Sequence, residues 1–174
     1  MFNKILVALD RSFMGQQVFQ QAISLAKLTG ADLMLVHVLS PDEDTTPDIM
    51  ILSQMDYYPG WGDESMKRYF TKLEANKKEG LQMLQTFCAQ ANTENITTEF
   101  TQNVGSPGKV ICTIAKDWKA DLIVIGRRGL SGITELLTGS VSNYVLHHAP
   151  CSVHIIHLVS SAKNDEKQVI DNRE

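Results

Sequence analysis

Hydrophobic positions along the chain follow two regimes. Some runs are short and apolar throughout, and longer stretches carry an apolar residue every three or four positions. Ile5 to Leu9 belongs to the first kind and ends abruptly at Asp10. A strand apolar at every position is buried on both faces, as in a parallel sheet covered by helices. Ser12 can cap the helix that follows, where Val18, Ala22, Leu25 and Ala26 fall on one face. Gly30 stands where a C′ glycine would end it. Asp32 to Leu39 reads as a second strand. Strand, helix and strand within ~35 residues predict a right-handed parallel crossover.

The same alternation continues. Met66, Phe70, Leu73, Lys77, Leu81, Leu84, Cys88 and Ala91 repeat at near-helical spacing, a stripe expected to face the core. Gly80 interrupts that helix as a weak point of ~1 kcal/mol. Ile96 to Val104 alternates as a third strand, and Ser106 with Pro107 forms a helix start. Val110, Ile111, Ile114, Ala115 and Trp118 supply that helix's buried face. Leu122 to Ile125 is a fourth strand, Val141 to His147 a last helix stopped by Pro150, and Cys151 to Leu158 a fifth strand. The sum is an α/β chain: an open five-stranded, parallel, doubly wound (Rossmann-like) sheet with helices on both faces.

Two segments break the pattern. Residues 40–62 hold Pro41, Pro47, Pro59, Gly60 and Gly62 among acidic and large apolar residues, a loop longer than the ~12–15 residues common inside domains. Beyond Val159 the chain is polar, charged and aperiodic, which predicts a loose tail over 159–174. One domain over residues 1–158 remains.

Chemistry concentrates after the fourth strand. Gly126 and Gly129 follow it at once, separated by Arg127 and Arg128, and Gly139 and Ser140 precede the last helix. A glycine-rich turn and a helix start gather backbone N–H groups that hold phosphate oxygens. A side chain there would block the close approach. Ser140 can cap the helix or lend its hydroxyl, and the two arginines can neutralise phosphate charge. In such sheets ligands lie beyond the carboxyl ends of the strands, where strand order reverses. Asp10 and Val38 end the first two strands there. The aspartate can accept from ribose hydroxyls, and the backbone at Val38 can pair with an adenine edge.

The spacing Gly126-x2-Gly129-x9-Gly139-Ser140 resembles the nucleotide-binding motif of the universal stress protein family, in its ATP-binding branch. Lys4-Ile-Leu-Val-Ala-Leu-Asp10-Arg-Ser12, Leu35-Val-His-Val38 and Ala149-Pro-Cys-Ser-Val153 fall in the family's order. The resemblance implies the same roles for Asp10, Val38 and the glycine turn. It places Ala8 and Leu9 beside the nucleoside, and Val141 and Ser142 at the phosphates. It further implies ATP, with Mg²⁺ on its phosphates, and a stress-response or regulatory role. The family often has proline where Ala8 stands and glycine where Arg11 stands, so Arg11 is expected to narrow the nucleoside end. Family members pair the last strand with its copy, and Cys151 to Leu158, apolar on both faces with no helix after it, would be a hazardous edge unless paired. A homodimer is expected.

Bulk properties restrict the alternatives. The 174 residues carry a formal net charge of −4, which argues against a nucleic-acid partner. No apolar run approaches the ~20 residues of a membrane span. The first strand begins too early for a signal peptide, and Cys88, Cys112 and Cys151 read as buried thiols, so a cytoplasmic location is expected. Gly105-Ser-Pro-Gly108-Lys109 imitates a Walker motif, but Val110 replaces its hydroxyl residue; it is a helix start. His147, His148, Cys151, His154 and His157 are read as structural or surface residues, since His154 and His157 face opposite sides of a strand. No nucleophile–base pair can be placed around the glycine turn. The leading reading is a nucleotide-dependent homodimeric switch; the alternative is a slow ATPase or phosphoryl-transfer enzyme, which lacks an identifiable base.

Overall fold

The structure, a computed structural model, describes residues 1–40, 62–127 and 139–157. The long loop (41–61), Arg128, Gly129, Leu158 and the tail lie outside the described residues. The elements run β1 (Lys4–Leu9), α1 (Phe13–Thr29), β2 (Asp32–Leu39), α2 (Gly62–Thr93), β3 (Thr98–Val104), α3 (Pro107–Trp118), β4 (Leu122–Gly126), α4 (Ser140–His148) and β5 (Ser152–Ile156). All strands pair in parallel in the order β3-β2-β1-β4-β5. This is the expected doubly wound sheet, and strand order reverses between β1 and β4.

The uniform runs occupy the middle of the sheet because helices cover both faces. Ile5, Val7, Leu9, Leu33, Leu35 and Val124 pack beneath α1 and α2. Leu6, Ala8, Val36, Val38, Ile123 and Ile125 pack beneath α3 and α4. Each fully buried Ile, Leu or Phe in these layers stabilises by about 2 kcal/mol. Phe19 of α1 stacks on Phe87 of α2 at 4.3 Å, joining the two helices of one face. Gly30 adopts φ 72° and its N–H bonds Ala26 O at 2.8 Å, closing α1 as expected.

The alternating stretch forms the expected third strand, β3, at the edge of the sheet, with Phe100 and Val104 36% and 70% exposed. Two expectations need correction. The stripe on α2 is core only from Gly80 onward, through Leu84 and Ala91, while Phe70 is 53% exposed. The three cysteines are half-buried free thiols rather than fully buried ones. Burial pushes the Cys112 and Cys151 thiols up, so neither carries the thiolate a redox centre needs.

Candidate functional site at the carboxyl edge of the sheet

Register brings the predicted residues to one edge. Leu9 lies opposite His37, and Ala8 opposite Ile125, so Gly126 stands level with Leu9. Asp10, Val38 and Arg127 therefore follow one step later on three adjacent strands. Neighbouring strands lie ~4.8 Å apart, so the three positions fall within about 10 Å.

Asp10 is held by its own turn. Its Oδ1 accepts from the Ser12 N–H at 3.1 Å and from the Ser12 hydroxyl. Ser12 is the N-cap of α1, its Oγ accepting from Gly15 N–H. The carboxylate thus sits beside the N-terminus of α1. Gly15 makes the arrangement fit: a Cβ there would lie 2.1 Å from Asp10 O and 2.9 Å from its Oδ1. Gly126 plays the matching part on β4, where a Cβ would meet Met14 Cγ at 2.6 Å and Val18 Cγ2 at 3.0 Å. The two glycines let the start of α1 settle onto both β1 and β4.

Val38 is buried, so its side chain belongs to the core and only its main chain is available. Asp32 N–H bonds Asn3 O of the preceding segment, whereas Leu33 N–H bonds Thr97 O and Leu39 O receives Gly105 N–H. Odd positions of β2 therefore face β3, and even ones face β1. The Val38 carbonyl points to the β1 side at the level where β1 ends. Ala8 and Leu9 are likewise buried, and their side chains enter opposite faces of the core.

Around the end of β4 and the start of α4 the parts divide. Arg127 N–H donates to Ile156 O at 2.9 Å, so this amide extends the ladder to β5. What Arg127 can offer an anion is its side chain. Gly139, not Ser140, is the N-cap of α4; Ser140 is exposed and is the first helical residue. Asn143 N–H makes the first intrahelical bond, to Gly139 O, so the amides of Ser140, Val141 and Ser142 have no acceptor within the helix. Gly139 contributes no side-chain cap that would compete for them. Ser142 is buried and its hydroxyl donates to Gly139 O at 3.0 Å, so it shapes the turn. Val141 packs against the core. Arg128 and Gly129 lie outside the described residues.

Arg11 reaches toward α2. Its guanidinium binds Glu79 and, at 3.1 Å, Asn76 Oδ1, both on α2. These partners and Gly15 were missed by sequence reasoning. A glycine in the first turn of a helix, just after the aspartate, was the signal for Gly15.

A shallow cleft of about 250 Å³ lies at the opposite, amino edge, lined by Lys27, Gly30, Asp32, Glu94, Asn95 and Thr97. The Lys27–Glu94 ion pair bridges it at 2.6 Å, so its charges already satisfy each other. No group of three metal-ligating side chains occurs among the described residues. No described helix is long and apolar enough to cross a membrane.

An open parallel sheet with helices on both faces, and a carboxylate and a helix start at its switch point, is an α/β domain of the Rossmann-like type. The profile of the universal stress protein family matches residues 1–157, and the chain belongs to that family. Universal stress protein Sll1388 of Synechocystis sp. is 37% identical over 159 residues, spanning 89% of this chain and 97% of that protein. The universal stress protein UspA of Lactobacillus plantarum superposes with a TM-score of 0.61 at 26% identity, covering 89% of this chain and 97% of its own. An Arabidopsis thaliana family member solved with AMP bound superposes with a TM-score of 0.59 at 20% identity, covering 91% of this chain and 93% of its own.

Proposed function

We propose that the chain is an adenine-nucleotide-binding regulatory protein of the stress response, a homodimeric switch that takes ATP with Mg²⁺ on its phosphates and works in the cytoplasm. One observation carries the reading: Asp10, the Val38 carbonyl and the amides of Ser140, Val141 and Ser142 all belong to one edge of the sheet. Proteins of this fold have been solved with AMP, dAMP and cAMP, which supports the reading. The aspartate is suited to ribose hydroxyls, the carbonyl to an adenine amino group, and the helix start to a phosphate. Gly126, Arg127, Arg128, Gly129 and Gly139 complete the proposed cradle. The donor set fits the organic group better than it fits a metal: Mg²⁺ would be held by the phosphates and water, as it commonly is.

The dimer reading rests on β5, an edge strand with half-buried Val153 and Ile155. Pairing with a second copy would remove an open row of main-chain donors and acceptors. Calorimetric titration with ATP, ADP, AMP and cyclic AMP, with and without Mg²⁺, tests the proposal. Heat and a single site for at least one of them, weakened at least tenfold by Asp10→Ala, are expected. Absence of binding by every adenine nucleotide would sink it. Light scattering at twice the chain mass is the matching test of the dimer.

A further inference from the structure

Helix α2 touches two separate parts of the carboxyl edge. Leu9, His37 and Gln102 stand level on three neighbouring strands, so Asp10 and Val38 each follow one residue later. The side chain just after Asp10 and the side chain just before Val38 both meet one turn of α2. On the β2 side the contact is steric. His37 is 4% exposed and its Nδ1 lies 3.0 Å from Gln102 Nε2. Gly80 sits so close to that pair that a Cβ would meet Gln102 Nε2 at 2.3 Å and His37 Nδ1 at 2.5 Å. On the β1 side the contact is polar. Arg11 donates from one terminal nitrogen to Glu79 and from the other to Asn76 Oδ1 at 3.1 Å.

Spacing along the chain puts these contacts on one face of the helix. Asn76, Glu79 and Gly80 stand at i, i+3 and i+4, which are neighbours on a helical surface. Asn76, Gly80 and Leu84 follow at four-residue intervals, and only Leu84 of the three is an apolar core side chain. The stripe turns polar where it meets a guanidinium and bare where it meets the His37–Gln102 pair. An exposed ion pair such as Arg11–Glu79 contributes little to folding stability. A planar guanidinium forked onto two acceptors one helical turn apart nevertheless restricts the direction of its own backbone. That backbone lies between Asp10 and Ser12, whose N–H already bonds Asp10 Oδ1. The turn is therefore held by α1 through Ser12 and by α2 through Arg11.

Resting on the nucleotide reading above, we propose that Arg11 and Glu79 are positioning residues for the nucleoside half of the site. The Asn76–Gly80 turn braces the Asp10 turn and the end of β2 against one helix, and so sets the gap between the ribose acceptor and the Val38 carbonyl. Both residues act through those acceptors and not on the ligand. A gap fixed before binding spares the ordering cost that two loose acceptors would carry. The brace is selective, because α4, whose start is proposed for the phosphates, packs on the other face of the sheet.

Separate titrations of the full chain with adenosine and with inorganic tripolyphosphate test the assignment. Arg11→Ala should weaken adenosine about fivefold and leave tripolyphosphate within about 1.5-fold, with the urea midpoint little changed. General loosening of the fold would weaken both ligands together. Glu79→Gln keeps an acceptor oxygen for the guanidinium and should stay close to the parent chain. Arg11→Ala combined with Glu79→Ala should cost no more adenosine affinity than Arg11→Ala alone, since the two side chains act as one unit. Adenosine affinity unchanged by Arg11→Ala, or tripolyphosphate weakened to the same degree, would overturn the positioning role while nucleotide binding stood. A parent chain that binds ATP but no adenosine would overturn it as well. One that binds no adenine nucleotide fails at the nucleotide reading itself.

Discussion

The two edges of the sheet are built on opposite plans. At the amino edge, side chains tie main chain down. Asp121 Oδ2 accepts from Asn3 N–H at 2.8 Å and from Lys4 N–H at 2.9 Å, stitching the entry of β1 to that of β4. Lys4 in turn donates to Trp118 O at 3.3 Å and lies over the indole, 4.8 Å from its centre. At the carboxyl edge, glycines take the positions beside the turns: Gly15, Gly126 and Gly139 stand where helices start or strands stop. One edge ties main chain of different elements together, whereas the Asp10 bonds to Ser12 at the other stay within a single turn.

That contrast can be broken at several points, beginning with the strongest. Gly15→Ala places a methyl 2.1 Å from a backbone oxygen that has little room to retreat, so a loss of about 3 kcal/mol is expected. Urea unfolding reads the stability, and nucleotide titration should show Asp10 displaced with it. Gly80→Ala comes next, because the methyl would split the His37–Gln102 pair, whose Nδ1 and Nε2 lie 3.0 Å apart. About 2 kcal/mol is expected by the same route. Gly126→Ala presses mainly on the flexible Met14, and about 1 kcal/mol should suffice. If it weakens binding far more than folding, the carboxyl edge is a site and not only a packing contact.

The amino edge offers a titration. The backbone N–H groups of Asn3 and Lys4 hold the Asp121 carboxyl below the usual carboxylate range, with Lys4 and the chain amino group adding to the effect. A lowered folded-state pKa stabilises above the unfolded value of ~3.9 and loses that contribution as pH falls through the folded value. Asp121→Ala should therefore lower the unfolding midpoint at neutral pH and converge with the parent chain at strongly acid pH. A difference that persists undiminished in acid would assign the loss to packing. The smallest effect belongs to Arg11→Ala, an exposed ion pair worth about 0.5 kcal/mol. Its consequence should be faster amide exchange near Asn76, with little change in the melt.

What could be read from the residues in order was whatever depends on neighbours in sequence. Uniform apolar runs marked β1, β2 and β4 because central parallel strands have no polar face. Gly30 and the Ser106–Pro107 pair marked helix ends because caps answer to groups within one turn. The edge bearing Asp10, Val38 and Gly139 was legible for the same reason: a strand, a turn and a helix start carry their signals locally. Ser140 was placed one position too early at the α4 cap, since glycine and serine compete closely for that position.

Tertiary structure alone decided the rest. Near-helical spacing in α2 shows which residues share a stripe, but not where the sheet beneath it stops, so Phe70 and Leu84 look equivalent in sequence and are not. Gly80 resembles a weak point in a helix until His37 and Gln102 come within reach of its missing side chain. Periodicity records the direction a residue faces along its own element; the identity of what it meets depends on chain tens of residues away, and sterics between elements leave no periodic trace.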